Sequence, residues 1–360
     1  AFLVWTTTPW TLPSNVALAL NSELTYVEAE HEGRRVVLAE PRFRAVLGEE
    51  AKIVRVYKAS ELEGQRYRRP FDLVDAEPSE AAWTVLLEPF VTAEDGTGIV
   101  HLAPAFGADD YASGQRHGLP MMRPVDDAGR FLAEIDLVGG KFVKDADPLL
   151  VEDLQGRGLV FRFLHETHTY PHCWRCTSPL LYMARDSWYI RTTAEKEAML
   201  DNNAAVGWHP REMGTGRFGE WLEGNVDWAL SRERYWGTPL PAWVCDRDES
   251  HVDFIGSYAA LADKAGRLGP DFDPHRPGID ELSWDCSRCA GTMRRTPEVI
   301  DAWFDSGSMP FAQWHYPFEN DDRWRRHFPA DFVAEGVDQT RGWFYSMMAI
   351  STLLGHGPAY

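Results

Sequence analysis

A mixed α/β protein of several domains is what this sequence predicts, on three observations. Residues 1–164 break into short β-rich stretches separated by turns, residues 296–360 alternate strand-like and helix-like apolar runs, and two Cys-x-x-Cys pairs punctuate the stretch between them. A chain of 360 residues has room for two or three separate cores. No apolar run approaches the ~18 residues that a membrane helix needs. Residues 1–11 carry neither the basic start nor the small-residue cleavage site of a secretory signal. They read as a strand entering a loop, so the chain is expected to begin in mid-fold.

The elements follow in order. Residues 26–30 and 35–40 flank His31-Glu32-Gly33 and predict a hairpin. Residues 99–102, after Gly96 and Gly98, predict a buried strand. Residues 109–117 predict a helix, with Asp109 and Asp110 at the end where carboxylates are favoured. Gly139-Gly140 marks a turn, and residues 148–155 predict a helix that starts at Pro148 and stops at Gly156. Beyond residue 165 the texture becomes aromatic, and residues 245–294 are rich in Gly, Pro and Asp. A strand at 331–334 and a helix at 340–354 then give the C-terminal part its α/β character. These shifts place domain boundaries near residues 165, 243 and 295.

The net charge of −19 argues against a broad phosphate-binding surface, because such surfaces need clustered Lys and Arg. Basic residues are scattered, with small groups at 66–69 and 323–326, so any RNA contact is expected to be local or aided by basic modules elsewhere. The five cysteines are Cys173, Cys176, Cys245, Cys286 and Cys289. An odd number, two Cys-x-x-Cys pairs and one more, without a secretion signal, points to metal rather than disulfides and to a reducing, cytoplasmic compartment.

Two segments carry chemistry. In Thr6-Thr7-Thr8-Pro9-Trp10-Thr11-Leu12-Pro13-Ser14-Asn15, three consecutive hydroxyls at a strand end each donate and accept, which suits holding an ester, a ribose hydroxyl and a water together. Taken alone, the threonines read equally as good strand formers. In Gly96-Thr97-Gly98-Ile99-Val100-His101, continuing to Asp110, a strand ends on an imidazole and a carboxylate follows nine residues later. That pair can share one site, with the carboxylate receiving an ammonium group. A satisfied structural histidine and a helix-capping aspartate are the plain alternatives.

Together these segments resemble the editing insert of isoleucyl-tRNA synthetases. Further matches come in the same order: Tyr170-Pro171-His172-Cys173-Trp174-Arg175-Cys176, Ser231-Arg232-Glu233-Arg234-Tyr235-Trp236-Gly237-Thr238-Pro239, Asp301-Ala302-Trp303-Phe304-Asp305-Ser306-Gly307-Ser308, and Glu335-Gly336-Val337-Asp338-Gln339-Thr340-Arg341-Gly342-Trp343-Phe344. The resemblance covers essentially the whole chain. Valyl and leucyl relatives typically have Thr-Thr-Arg-Pro and then an acidic residue, whereas Pro9-Trp10 follows the threonines here. A valyl- or leucyl-type fragment and a free-standing deacylase are the competing readings, the second disfavoured by the synthetic-core character of residues 296–360. A zinc-ribbon interaction module explains the cysteines but not the threonine run or the His101–Asp110 segment.

The resemblance implies a β-rich editing domain (1–164), a connection back toward the catalytic core (165–243), a small zinc-ribbon-like module (244–295) and part of a Rossmann-type catalytic domain (296–360). It implies that Thr6, Thr7, Thr8 and Asn15 line an editing pocket, that Asp110 anchors the substrate's α-ammonium, and that His101 positions the aminoacylated tRNA end. The reaction would be hydrolysis of valine wrongly esterified to isoleucine tRNA. A positioned water would attack, with no metal and no covalent nucleophile. One methylene is worth only about 1–3 kcal/mol in an apolar pocket, a limit for which isoleucyl enzymes are themselves the standard worked example, so a second, smaller pocket is needed. Trp303, Glu335, Gly336, Asp338, Gln339 and Trp343 would contact the isoleucyl-adenylate. The parent enzyme would use ATP, isoleucine and the 3′ end of isoleucine tRNA, and would be a monomer that does not engage membranes.

The class I signatures His-Ile-Gly-His and Lys-Met-Ser-Lys-Ser do not occur in this sequence. They are expected upstream and downstream, so the chain alone is not expected to aminoacylate. The insert's leading segment is expected to be missing as well. Cys173 and Cys176 pair with upstream cysteines in many relatives. The other cysteine site reads Cys245-Asp246-Arg247-Asp248, with Asp248 where a thiolate is expected and His251 nearby. Either Cys245, Cys286 and Cys289 form four-coordinate zinc with Asp248 or His251, or the site has lost its metal.

Overall fold

The computed structural model describes residues 1–164, 169–266 and 268–360. The chain divides into two compact units, Ala1–Arg185 and Asp186–Tyr360. The boundary expected near 165 falls at residues 165–168, outside the described residues.

In the first unit, strands β1 (Ala17–Leu20), β2 (Thr25–His31), β3 (Arg34–Ala39), β4 (Lys52–Lys58), β5 (Val85–Leu87) and β6 (Val100–Leu102) form two three-stranded sheets, ordered β3-β2-β4 and β5-β1-β6. The β2–β3 hairpin turns at Glu32-Gly33, where both residues have positive φ, as a two-residue hairpin loop demands. Its inward side chains, Val27, Ala29, Val36 and Leu38, form one core with Phe43 and Leu47. β1 pairs parallel with β5 and antiparallel with β6, and is buried throughout, as a central strand should be.

Two glycines set how closely β6 is approached. A Cβ on Gly98 (φ +72) would meet the Ala39 Cβ at 2.3 Å, and one on Gly96 (φ +62) would meet the Trp5 ring at 2.5 Å. Only glycine combines that φ with that contact. The Tyr26 hydroxyl, buried, donates to the Gly98 carbonyl at 3.0 Å.

The helix Ala108–His117 has Asp109 and Asp110 in its first turn, Arg116 and His117 in its last, and Gly118 in the left-handed conformation as its stop. Glu88, 2% exposed, accepts from Ser113 (2.5 Å), Arg116 (2.5 Å) and His117 (3.2 Å), and so ties the far end of this helix to the strand region. The next helix runs Val143–Gly156 rather than starting at Pro148. Val143, Ala146, Leu150 and Leu154 recur at helical spacing and are all buried, and this burial extends the helix N-terminal to the proline.

In the second unit, four antiparallel strands pair in the order Val252–Phe254, Ala242–Cys245, Thr292–Arg295 and Ser283–Asp285. The helix Trp343–Leu353 is apolar nearly all round, and its Phe344, Met347, Met348 and Ala349 form a core with Met199, Phe218 and Leu222. The strand expected at 331–334 is corrected: those residues are irregular. They find no strand to pair with among the described residues, and ladder hydrogen bonds are what sustain a strand. Val333 instead packs beside the core of that helix. No described helix is long and apolar enough to cross a membrane.

Candidate functional site

Strand pairing brings the two sequence segments together. Trp5 donates its N–H to the Ile99 carbonyl at 3.0 Å, so the chain entering the threonine run lies beside β6. The Thr6 hydroxyl then sits 3.5 Å from His101 Nε2. Residues Pro9–Ser14 form a short 3₁₀ helix, whose tight turn stacks Thr11 over Thr8. Thr11 Oγ1 donates to the Thr8 carbonyl at 2.8 Å, and lies 3.1 Å from both Thr8 Oγ1 and His101 Nε2.

A hydroxyl has one proton, so Thr11, having given it to Thr8, acts as acceptor toward the imidazole. His101 therefore carries its proton on Nε2 and leaves Nδ1 as an acceptor. That Nδ1 is buried and has no protein partner among the described residues. Burial lowers the imidazole pKa to about 4, so His101 is neutral at pH 7.

The linkage has a definite sign. The unfolded chain takes up this proton near pH 6.5 and the folded chain only near 4, so the stabilisation is complete above ~6.5 and is lost as pH falls toward 4, by up to about 3 kcal/mol. Urea denaturation of the wild type and of His101→Gln at neutral pH and near pH 4.5 checks this. The wild type should lose more stability between the two conditions than the variant does. Equal losses would exclude the buried neutral imidazole.

His101 and Asp110 line one cavity of about 360 Å³, with Trp5, Phe90, Val100 and Asp109 among its walls. Asp110 accepts the Ala103 N–H at 2.8 Å. Burial raises its carboxyl pKa, and the Ala103 hydrogen bond opposes that rise.

The remaining expected residues divide. Thr7 is exposed. Asn15 is 1% exposed, donates to the Ala17 carbonyl (3.0 Å) and accepts from the Tyr67 hydroxyl (2.6 Å), so it anchors the start of β1. Sequence reasoning missed Thr11, although the Thr8-Pro9-Trp10-Thr11 turn is a readable signal. It also missed Asp147, which accepts the Trp10 N–H at 2.7 Å from 137 positions away and has no local signal.

In the second unit, Asp301 caps the helix Ala302–Gly307 through the Trp303 N–H, and accepts from Arg232 (2.7 Å) and Trp228 (3.1 Å). Trp343 donates its indole N–H to the Ser306 carbonyl (2.9 Å) and its backbone N–H to Gln339 (3.1 Å). Gln339 in turn donates to Asp338 (3.0 Å). A Cβ on Gly342 would meet both Gln339 and the Trp303 ring, so Trp303, Gln339 and Trp343 converge. Glu335, Gly336 and Asp338 are exposed on the adjoining segment.

The candidate metal ligands also converge. Cys245, His251, Cys286 and Cys289 bring their donor atoms within 4.8 Å of one another. The Cys245 and Cys289 sulfurs are 3.4 Å apart, and Cys286 Sγ is 3.5 Å from His251 Nδ1. The N–H groups of Arg247 and Arg288 point at the Cys245 and Cys286 sulfurs; the first lowers the Cys245 pKa, and the adjacent Cys245 sulfur raises that of Cys289. Three sulfurs and one imidazole nitrogen fit tetrahedral zinc. Asp248 stands outside this group: it accepts from Ser250 and lies 3.4 Å from His251 Nε2, where it can orient the imidazole. Cys173 and Cys176 have no third Cys, His or carboxylate partner of this kind among the described residues. Cys176 Sγ instead lies 2.8 Å from the Ser178 hydroxyl.

The sequence model of class I tRNA synthetases (I, L, M and V) matches residues 6–360, and the chain belongs to that family. Within it, the chain is 50% identical over its whole length to the isoleucine--tRNA ligase of Streptomyces avermitilis, covering 34% of that protein. It is 48% identical to that of Clostridium novyi, with 98% of the chain and 34% of the relative aligned. The chain thus spans about a third of the length of these curated relatives. Among solved structures, the editing domain of the P. falciparum cytosolic leucyl-tRNA synthetase aligns with 44% of this chain and 76% of its own, at 13% identity and a TM-score of 0.34.

Proposed function

We propose that this chain is the part of an isoleucine–tRNA ligase that removes valine wrongly esterified to isoleucine tRNA, and that it also carries part of the isoleucyl-adenylate site. The observation that carries the reading is that His101 and Asp110 line one cavity while the Thr6 and Thr11 hydroxyls reach His101 Nε2. In this reading Asp110 receives the substrate's α-ammonium by a charge-assisted hydrogen bond. The neutral His101, held through Nε2 by Thr6 and Thr11, forms the wall of the cavity against which the aminoacylated end is positioned. The water oxygen bonds to the ester carbon, the ribose oxygen leaves with a proton, and free valine and tRNA result. Positioning and fixed hydrogen bonds supply the acceleration.

Residues 1–164 form the editing domain, 165–243 the connection, 244–295 the zinc-binding module and 296–360 part of the catalytic domain. Trp303, Gln339 and Trp343, with Glu335, Gly336 and Asp338 beside them, contact the adenylate. ATP, isoleucine and isoleucine tRNA are substrates of the whole protein, which acts as a cytoplasmic monomer. Cys245, His251, Cys286 and Cys289 hold zinc.

The deciding experiment compares deacylation of valyl and isoleucyl esters of isoleucine tRNA by the full-length protein. Selective loss of valine supports the reading. Cleavage of neither ester, or of both alike, overturns it.

A further inference from the structure

The threonine segment owes its hydroxyl geometry to a helix far away in sequence. Trp10 lies between Thr8 and Thr11, and its backbone N–H donates to Asp147 Oδ1 at 2.7 Å. Its ring packs edge-on against Phe106, centroids 4.8 Å apart, and belongs to the same core as Val143, Ala146 and Leu150. Backbone and side chain of Trp10 are therefore both docked on the helix Val143–Gly156. The apolar contact fixes where the Trp10 side chain lies. The directional N–H bond to Asp147 holds the backbone turn between Thr8 and Thr11, and with it the reach of Thr11 to His101.

We propose that Asp147 is a positioning residue of the ester-hydrolysing site, holding the threonine segment through the Trp10 N–H so that the hydroxyls engage His101. This rests on the editing reading given above. The anionic form makes the stronger bond. Burial raises the Asp147 pKa to about 6, against the opposing pulls of Lys144 and the Trp10 N–H, so the grip strengthens as pH rises through that value. The titratable groups facing it are Lys144, on its own helix, and Tyr170, whose own pKa is raised by burial and then by Asp147. Residues 9–14 offer no titratable side chain. His101 titrates below this window. Asp110 is also raised by burial, so a variant at 147 is needed to assign the inflection.

The experiment measures kcat and KM for valyl-ester hydrolysis by the full-length protein, between about pH 5 and pH 8. The wild type should show kcat rising through an inflection near 6. Asp147→Asn keeps the acceptor oxygen but not the charge: its inflection should vanish, while kcat at high pH stays within about threefold of wild type. Asp147→Ala should lose about tenfold or more in kcat at every pH with KM little changed. Amide exchange of residues 8–12 gives a readout independent of turnover. Protection should fall about tenfold in Asp147→Ala and be restored in Asp147→Asn. Equal protection in wild type and Asp147→Ala overturns the proposal, whether or not the ester is cleaved. A wild-type profile in Asp147→Ala overturns it as well. Absence of hydrolysis by the wild type, together with the protection difference, would instead overturn the editing reading.

Discussion

Asp110→Ala should lower kcat/KM for hydrolysis of the valyl ester by about 30- to 1,000-fold, the range expected when a partly desolvated charge partner is removed. The carboxylate lines the cavity beside His101 and is fixed by the Ala103 N–H at 2.8 Å. The backbone closes round it at Gly107, where a Cβ would come within 3.0 Å of the carboxyl carbon. In the free protein burial works against its charge. An arriving ammonium group reverses that, so the pairing is formed where it is worth most. Asp110→Asn keeps the shape and the Ala103 hydrogen bond but not the charge, and should lose nearly as much activity as alanine. The check is deacylation kinetics alongside melting temperatures. Variants that melt with the wild type yet fail to hydrolyse place the loss in binding, and an unchanged kcat/KM would remove Asp110 from the site.

The second large effect concerns zinc. Structural zinc commonly contributes about 10 kcal/mol or more of apparent binding free energy near neutral pH, because the ligands are not assembled in the unfolded chain. Stripping the metal with a chelator, or replacing Cys286 with serine, is expected to disorder the turns at Cys245–His251 and Cys286–Cys289. Trp243 and Trp284 report on this directly. Their rings lie 4.9 Å apart in the same small core, so near-ultraviolet circular dichroism and tryptophan emission should change together and recover on adding zinc back. Elemental analysis of the intact protein should find close to one zinc per chain. A metal-free protein with the same spectra would show that the thiols and imidazole pack without an ion.

Local chemistry was legible where the information is local. The hairpin at 26–40 was readable from its His31-Glu32-Gly33 turn, and the helix at 109–117 from its acidic start. The helix before Pro148 was not, because the proline signals a beginning and the burial of Val143 and Ala146, which overrides it, depends on tertiary packing. Residues 331–334 had a strand-like composition, but a strand is made by its neighbour and composition cannot supply one. His101 and Asp110 were visible because they fall within one motif. Asp147 was not, since its partner Trp10 lies at the other end of the unit. The exclusion of Asp248 from the metal group in favour of His251 follows from how the turn after Cys245 is folded, which spacing alone leaves open.

The close crossings at Gly96 and Gly98 bear on how finely a pocket in this place can sort by size. Trp5 and Ala39 press directly on backbone that has no side chain to yield. Moving the strand that carries His101 toward either of them meets steep van der Waals repulsion, not the gentle stretching of a hydrogen bond. Such walls are stiff. A compliant pocket admits a ligand one carbon too large by giving way a little, and its preference then shrinks to the small energy of that deformation. A pocket braced by hard contact turns the same extra carbon into a collision, so the sharpness of its size limit is a mechanical property set by Gly98 in its wall, by Gly96 beside it and by the residues packed against them.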